Sequence, residues 1–150
     1  MMRKTLDSRE ILFYCDYHGH SQKRNLFMYG CSNTKSYRLK ERIFPMMFDK
    51  AYENFKFDTC NFKVQKDREA TARVVMWKEF NLINSFTLET TFCGPSDGPL
   101  ADCHFTIGTL KECGRKFCQT FLEYASNERL VSETNRELEA MFPPEQKEPS

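Results

Sequence analysis

Ile11-Leu12-Phe13-Tyr14-Cys15-Asp16-Tyr17-His18-Gly19-His20-Ser21 is the stretch on which the architecture turns. Its first five residues form an unbroken apolar run, too short for a helix and typical of a strand buried on both faces of a parallel or mixed sheet. Asp16 and the polar, glycine-containing residues that follow are expected to end that strand. Functional side chains in such sheets gather where strands finish at their carboxyl edge. The two histidines are therefore expected on a functional rim.

Other elements follow on both sides. Met1-Met2-Arg3-Lys4 looks like the interior of a helix that precedes the first strand. Leu26-Phe27-Met28-Tyr29-Gly30 is a second short strand, reached through a basic turn at Lys23 and Arg24. Residues 34–52 read as helical, with Pro45 breaking the stretch or opening its second half. Arg73-Val74-Val75-Met76-Trp77 reads as a strand, and Ser85–Phe92, rich in β-branched and aromatic residues, as another. After a glycine- and proline-rich loop at 93–99, a helix is expected from near Thr106, with Ile107, Leu110, Phe117, Phe121 and Leu122 as its apolar positions. Strands alternating with helices define an α/β protein with a mixed β-sheet flanked by helices. Residues 1–125 read as domain and 126–150 as a polar, flexible tail that carries at most one exposed helix.

Composition narrows the function classes. At 150 residues the chain fits one ordinary domain. Its 40% hydrophobic and 29% charged residues are those of a globular chain. No stretch approaches the roughly 18 apolar residues of a membrane-spanning helix. The amino terminus runs into charge without the apolar core of a signal peptide, which favours the cytosol. A net charge of +1 and the absence of a recognised motif argue against nucleic acid as a partner. Seven cysteines, odd in number and without CxxC pairs, are expected to be reduced and mostly buried.

Three features could carry chemistry. On an extended segment, residues two apart share a face, so His18 and His20 could both reach one metal. A chance pair of loop histidines reads the same way. The only other histidine is His104, and no HExxH motif is present. Glu89, near the end of an apolar strand, is either an edge carboxylate facing solvent or a general base. Arg73, next to an apolar run, needs an anionic partner, whereas Lys63, Lys66 and Arg68 read as a solvated face.

The blocks Leu12–Cys31, Cys60–Lys66, Ala72–Glu79 and Asn84–Phe92 resemble, in order and spacing, the cytosolic carboxypeptidases, the branch of the zinc carboxypeptidases that trims glutamates from tubulin and other proteins. The similarity runs over about residues 9–125 and points to members two and three and to the C-terminal part of the catalytic domain. It implies a zinc ligand at His18, with His20 a pocket neighbour, and a general acid/base at Glu89. It further implies that Arg73 pairs with the glutamate side chain of a substrate. The partners implied are glutamate-rich protein tails, tubulin among them, in the cytoplasm.

Departures from the family accompany these matches. The family's HxxE zinc pair has no counterpart: the residues three after His18, His20 and His104 are Ser21, Lys23 and Ile107. The arginines and asparagine that hold the substrate's terminal carboxylate are missing as well. No tyrosine lies between Tyr52 and Tyr124 to close over a substrate. One ligand does not hold a catalytic zinc. The 150-residue chain alone is therefore expected to be inactive, with the remaining ligands upstream. Two readings stay open: part of a full-length deglutamylating carboxypeptidase, or a short, non-catalytic form that binds acidic protein tails. A partly folded chain with an unpaired sheet edge is a third, weaker option.

Overall fold

The computed structural model describes residues 2–144. Five α-helices and three strands follow in the order α1 (Met2–Leu6), β1 (Tyr14–His20), β2 (Leu26–Tyr29), α2 (Lys40–Ala51), α3 (Ala72–Phe80), β3 (Ser85–Thr91), α4 (Ile107–Ser126) and α5 (Glu128–Met141). Short 3₁₀ turns stand at Lys35–Tyr37, Phe57–Thr59 and Lys66–Arg68. The sheet is mixed, in the order β1-β3-β2, with β1 parallel and β2 antiparallel to β3. The expected α/β class with a mixed sheet is what is found.

The sheet's two faces differ in chemistry. One carries Leu26, Met28, Phe86 and Leu88, which pack on Phe44 and Phe48 of α2 and on Cys113 and Phe117 of α4. Phe13, just before β1, plugs this core: its ring centroid lies 4.6 Å from that of Phe44, 5.2 Å from Phe86 and 5.3 Å from Phe121. Aromatic contacts of this kind contribute about 0.5–1.5 kcal/mol each beyond area burial. The other face carries Asp16, His18 and His20 of β1 beside Thr87, Glu89 and Thr91 of β3, because alternate residues point to opposite sides.

Three expectations need correction. First, β1 begins at Tyr14 and runs through His20, so Asp16-Tyr17-His18-Gly19-His20 lies within the strand and does not end it. The polar residues alternate onto the face without the aromatic core, which lets the strand continue. Second, residues 73–77 lie in helix α3. The β-branched pair Val74-Val75 favours a strand, but β-propensity yields to packing. Arg73, Val74 and Met76 are buried together on one helical side, and Asn81 ends the helix in the left-handed conformation (φ 52°). Third, residues 128–141 of the expected tail form helix α5, in which Thr134 and Leu138 are fully buried. Leu138 closes a second apolar cluster with Leu39, Ile43, Met46 and Met47. Residues 145–150 lie outside the described residues.

Elsewhere the expectations hold in part. β2 and β3 fall where they were read, and Thr106 caps α4, its hydroxyl accepting from the Thr109 amide at 3.2 Å. Of the stretch 34–52 expected to be helical, 35–37 is a separate 3₁₀ turn and Lys40–Ala51 is helix, and Pro45 neither breaks that helix nor opens a second half but sits inside it. The seven cysteines are all free, but they are not mostly buried as expected: Cys31 and Cys113 are buried, Cys15 and Cys60 are half-buried, and Cys93, Cys103 and Cys118, in loops or on the outside of α4, are exposed.

Candidate active site on the polar face of the sheet

Strand register brings the sequence-derived residues together. His18 of β1 stands opposite Glu89 of β3, and Phe27 of β2 stands opposite Glu89 on its other side. His18, Glu89 and Phe27 thus form one row across the sheet. Helix α3 lies against β1 and β3, and the Ser85 hydroxyl on the polar side of β3 donates to the Arg73 carbonyl at 2.7 Å.

Each histidine has a distinct local role. His18 is half exposed, and its Nε2 lies 3.0 Å from Asp16 Oδ2. With the proton on Nε2, held by that carboxylate, Nδ1 is left as a free lone pair; a carboxylate behind an imidazole orients metal-binding histidines in this way. His20 Nδ1 instead accepts the Gln22 and Lys23 amides, each at 3.1 Å, and its ring packs on Phe27 with centroids 5.2 Å apart. His20 therefore shapes the turn into β2. His104 is engaged elsewhere, its Nδ1 3.1 Å from the Phe92 carbonyl. Gly19, between the two site histidines, is covered by Phe92: a Cβ there would stand 2.5 Å from that ring.

Glu89 is only 8% exposed. Burial holds its carboxyl above the usual range, Asp16 adds to the rise, and His20, His18 and Arg68 oppose it. A carboxyl whose hold on its proton is strengthened by burial is suited to taking up and returning a proton.

Arg73 takes up a position that its place in a helix dictates. It is buried, one guanidinium nitrogen donates to the Gly30 carbonyl, and the same nitrogen lies 3.3 Å from Cys31 Sγ. The guanidinium carbon lies 5.8 Å from the Tyr29 ring centroid, and Nε has no hydrogen-bond partner. Tyr29 stands one register step from Glu89, opposite Thr87. Burial and the Glu89 charge raise its phenol above the usual value, while Arg68 and Arg73 pull it down.

Asp16, Lys23 and Tyr29 join the site without having been singled out, while Arg68 stays solvent-exposed beside Asp67. A signal for Asp16 was present in the sequence: the Asp16-x-His18 spacing puts both on one face once the strand extends to His20. Lys23 and Tyr29 are brought to the site only by strand pairing and the turn between β1 and β2.

The donor set does not complete a metal site. Among the described residues, no group of three or more His, Cys, Asp or Glu side chains could hold a metal ion. His18 offers one imidazole nitrogen, with Asp16 already used to orient it.

No family model matches the chain. In fold, it is similar to the crystal structure of a metallo-carboxypeptidase from Burkholderia cenocepacia, with a TM-score of 0.66 and 18% identity; the match covers 83% of this chain and 33% of that one. The arrangement is thus that of part of a metallo-carboxypeptidase fold. In sequence it is 52% identical over 126 residues to cytosolic carboxypeptidase 2 of Mus musculus, covering 83% of this chain and 14% of that protein. Cytosolic carboxypeptidase 3 of Mus musculus is 47% identical over 135 residues, covering 86% of this chain and 13% of the relative. By sequence the chain belongs to the cytosolic carboxypeptidase family, and it spans about a seventh of the length of these relatives.

Proposed function

We propose that this chain forms the part of a cytosolic, zinc-dependent carboxypeptidase that carries the acid/base carboxylate and one metal ligand. The substrates are the glutamate-rich tails of proteins, such as those of tubulin, from which terminal or side-chain glutamates are removed. The observation that carries this reading is the register of His18 against Glu89 on the polar face, in a chain related to carboxypeptidases. His18 would hold the zinc through Nδ1 while Asp16 fixes the imidazole. The other ligands would come from residues outside this sequence, expected upstream, because the donors here do not suffice. Bound zinc acidifies water and polarises a carbonyl.

Within this chain, Glu89 accepts a proton from the attacking water and returns it to the leaving amine. Its burial keeps competing water away. Arg73, with its unpartnered Nε beneath Tyr29, is the cation proposed to face the substrate's glutamate side chain. A second reading, a non-catalytic form that binds acidic tails, is favoured by the incomplete donor set together with the cations about Tyr29.

The test is release of terminal glutamate from peptides by a full-length carboxypeptidase that contains this region. Glu89→Gln is expected to lower kcat by about 10²–10⁴-fold while metal content stays unchanged. His18→Ala is expected to lower the metal content measured by mass spectrometry. Full activity in Glu89→Gln would overturn the assignment.

A further inference from the structure

β1 is an open edge built without the usual guards. Beyond it no strand pairs among the described residues, whereas the far edge, at β2, is covered by bridges to Phe55 and Asn61. Natural edge strands are kept apart by lysine, proline or a bulge. Tyr14–His20 holds neither residue type, and its ladder with β3 runs without interruption from Tyr14 opposite Ser85 to His20 opposite Thr91. The Tyr14 amide donates to the Asn84 carbonyl and the Phe92 amide to the His20 carbonyl. That phase leaves the amides and carbonyls of Cys15, Tyr17 and Gly19 pointing outward.

Helix α4 is uncovered on the same side. Ile107, Gly114, Cys118, Phe121 and Ala125 share one face by helical spacing, and Ile107 and Cys118 are exposed. The opposite flank lines a groove with Met47 and Ala51 of α2 through Lys116 and Thr120. Tyr17 packs on Phe117 with ring centroids 5.4 Å apart, yet it stays 54% exposed, so α4 leaves β1 half covered. Gly114 stands in mid-helix, where glycine is unfavourable, and nothing lies within 4 Å of the place a Cβ would take. The single chain has no packing reason for a glycine there; a second backbone passing close would supply one.

We infer that the 150-residue chain, on its own, forms a twofold dimer in which β1 pairs antiparallel with β1 of a second copy. The outward residues are symmetric about Tyr17. An axis placed there pairs Cys15 with the partner's Gly19 and Tyr17 with the partner's Tyr17, each pair exchanging both backbone bonds. On the polar face the same register sets Asp16 directly opposite the partner's His18, and His18 opposite the partner's Asp16. A carboxylate faces an imidazole on both sides of the axis, a complementary cross-strand pair that fixes the register. The partner thereby adds a carboxylate to the row of His18 and Glu89. On the other face, Phe13 lies against Phe121 and Tyr17 against Phe117, so α4 runs antiparallel to β1. The axis at Tyr17 then brings together the Gly114–Cys118 turns of the two α4 helices, where small side chains let the helices approach.

The experiment is sedimentation equilibrium of the whole chain over a range of concentrations, with hydrogen exchange read in parallel. At dilution the mass is expected at the 17.8 kDa of one chain, with the Cys15, Tyr17 and Gly19 amides exchanging fast. As concentration rises, the mass should reach twice that value and stop, and those amides should become slow. Tyr17→Lys sets two ammonium groups against each other at the axis, and Gly114→Lys drives a long side chain between the helices. Each is expected to weaken association by more than about tenfold. Position 114 has open space in the single chain, so an unchanged circular dichroism spectrum of Gly114→Lys separates lost pairing from lost folding. Arg129→Ala on α5 should change nothing.

The mass of one chain at every concentration would overturn the dimer and leave the edge to a strand from another segment or protein. A mass growing past two chains, doubling without protection of the three amides, or unchanged doubling in both lysine variants would overturn it as well. None of these outcomes bears on the carboxypeptidase reading, which fails only if Glu89→Gln in the full-length enzyme stays active.

Discussion

At the scale of single residues, burial separates the thiols into two groups. Burial pushes Cys15, Cys60 and Cys113 up to about 12, whereas Cys93, Cys103 and Cys118 lie exposed in loops or on the outer side of α4. Thiolate is the reactive form. Iodoacetamide at neutral pH should therefore label the exposed three and spare Cys15, Cys60 and Cys113 in the native chain, as read by peptide mass mapping. Rapid labelling of Cys113 without denaturant would contradict the packing against Phe44 and Phe48. The same shift links stability to pH. The folded state keeps the Cys113 proton between the ordinary value of 9.0 and about 12, and the unfolded state releases it near the lower figure. The contribution is complete below about pH 9 and is lost as pH rises toward 12, by about 1.4 kcal/mol per pH unit for one such thiol. The denaturation midpoint should fall across that window.

Among the elements, α5 tests how far a polar sequence conceals a packed helix. Arg129, Glu133, Arg136 and Glu137 give the segment the look of a solvated tail, yet Thr134 and Leu138 are fully buried against α2. Three bonds tie the helix down: Lys40 Nζ donates to Asn135 Oδ1 at 3.2 Å, Lys50 Nζ donates to Glu137 Oε2 at 2.5 Å, and Arg38 donates to the Phe142 carbonyl. Leu138→Ala should cost about 2–5 kcal/mol in urea unfolding, the range for emptying a buried leucine site. A loss below about 0.5 kcal/mol would mean that α5 is not docked. In α3 the case is reversed. Val74 and Val75 suggest a strand, but burial at Arg73, Val74 and Met76 has helical spacing. The competing strand pattern was the stronger local signal, and the packing of α3 on β1 and β3 outweighed it.

Across the whole molecule, the two edges of the sheet are treated differently. Beyond β2, the chain itself covers the edge through bridges from Leu26 to Phe55 and from Tyr29 to Asn61. Beyond β1, no strand pairs among the described residues. The Tyr14 amide donates to the Asn84 carbonyl, and the Phe92 amide donates to the His20 carbonyl. In a parallel ladder this phase turns Tyr14, Asp16, His18 and His20 inward and leaves the amides of Cys15, Tyr17 and Gly19 on the open side. Hydrogen exchange in the isolated chain should be fast at those three amides and slow at their alternating neighbours. Protection of all seven would show that another strand occupies the edge.

The sequence by itself determined the fold class, the position of β3 and the start of α4 near Thr106, and it singled out His18 and Glu89 as candidates. Each of these depends on signals a few residues long: apolar runs, helical spacing of apolar positions, and polar groups at fixed spacing. Tertiary structure decided the rest. It extended β1 through His20, because alternate residues met different faces of one sheet. It made a helix of 72–80 and another of 128–141, because burial against neighbours outweighed local propensity. It also brought Lys23 and Arg73, which no sequence interval links, to the Tyr29 ring on the face that carries Glu89. Long-range pairing of strands distant in the chain creates that cluster, and a local pattern carries no record of it.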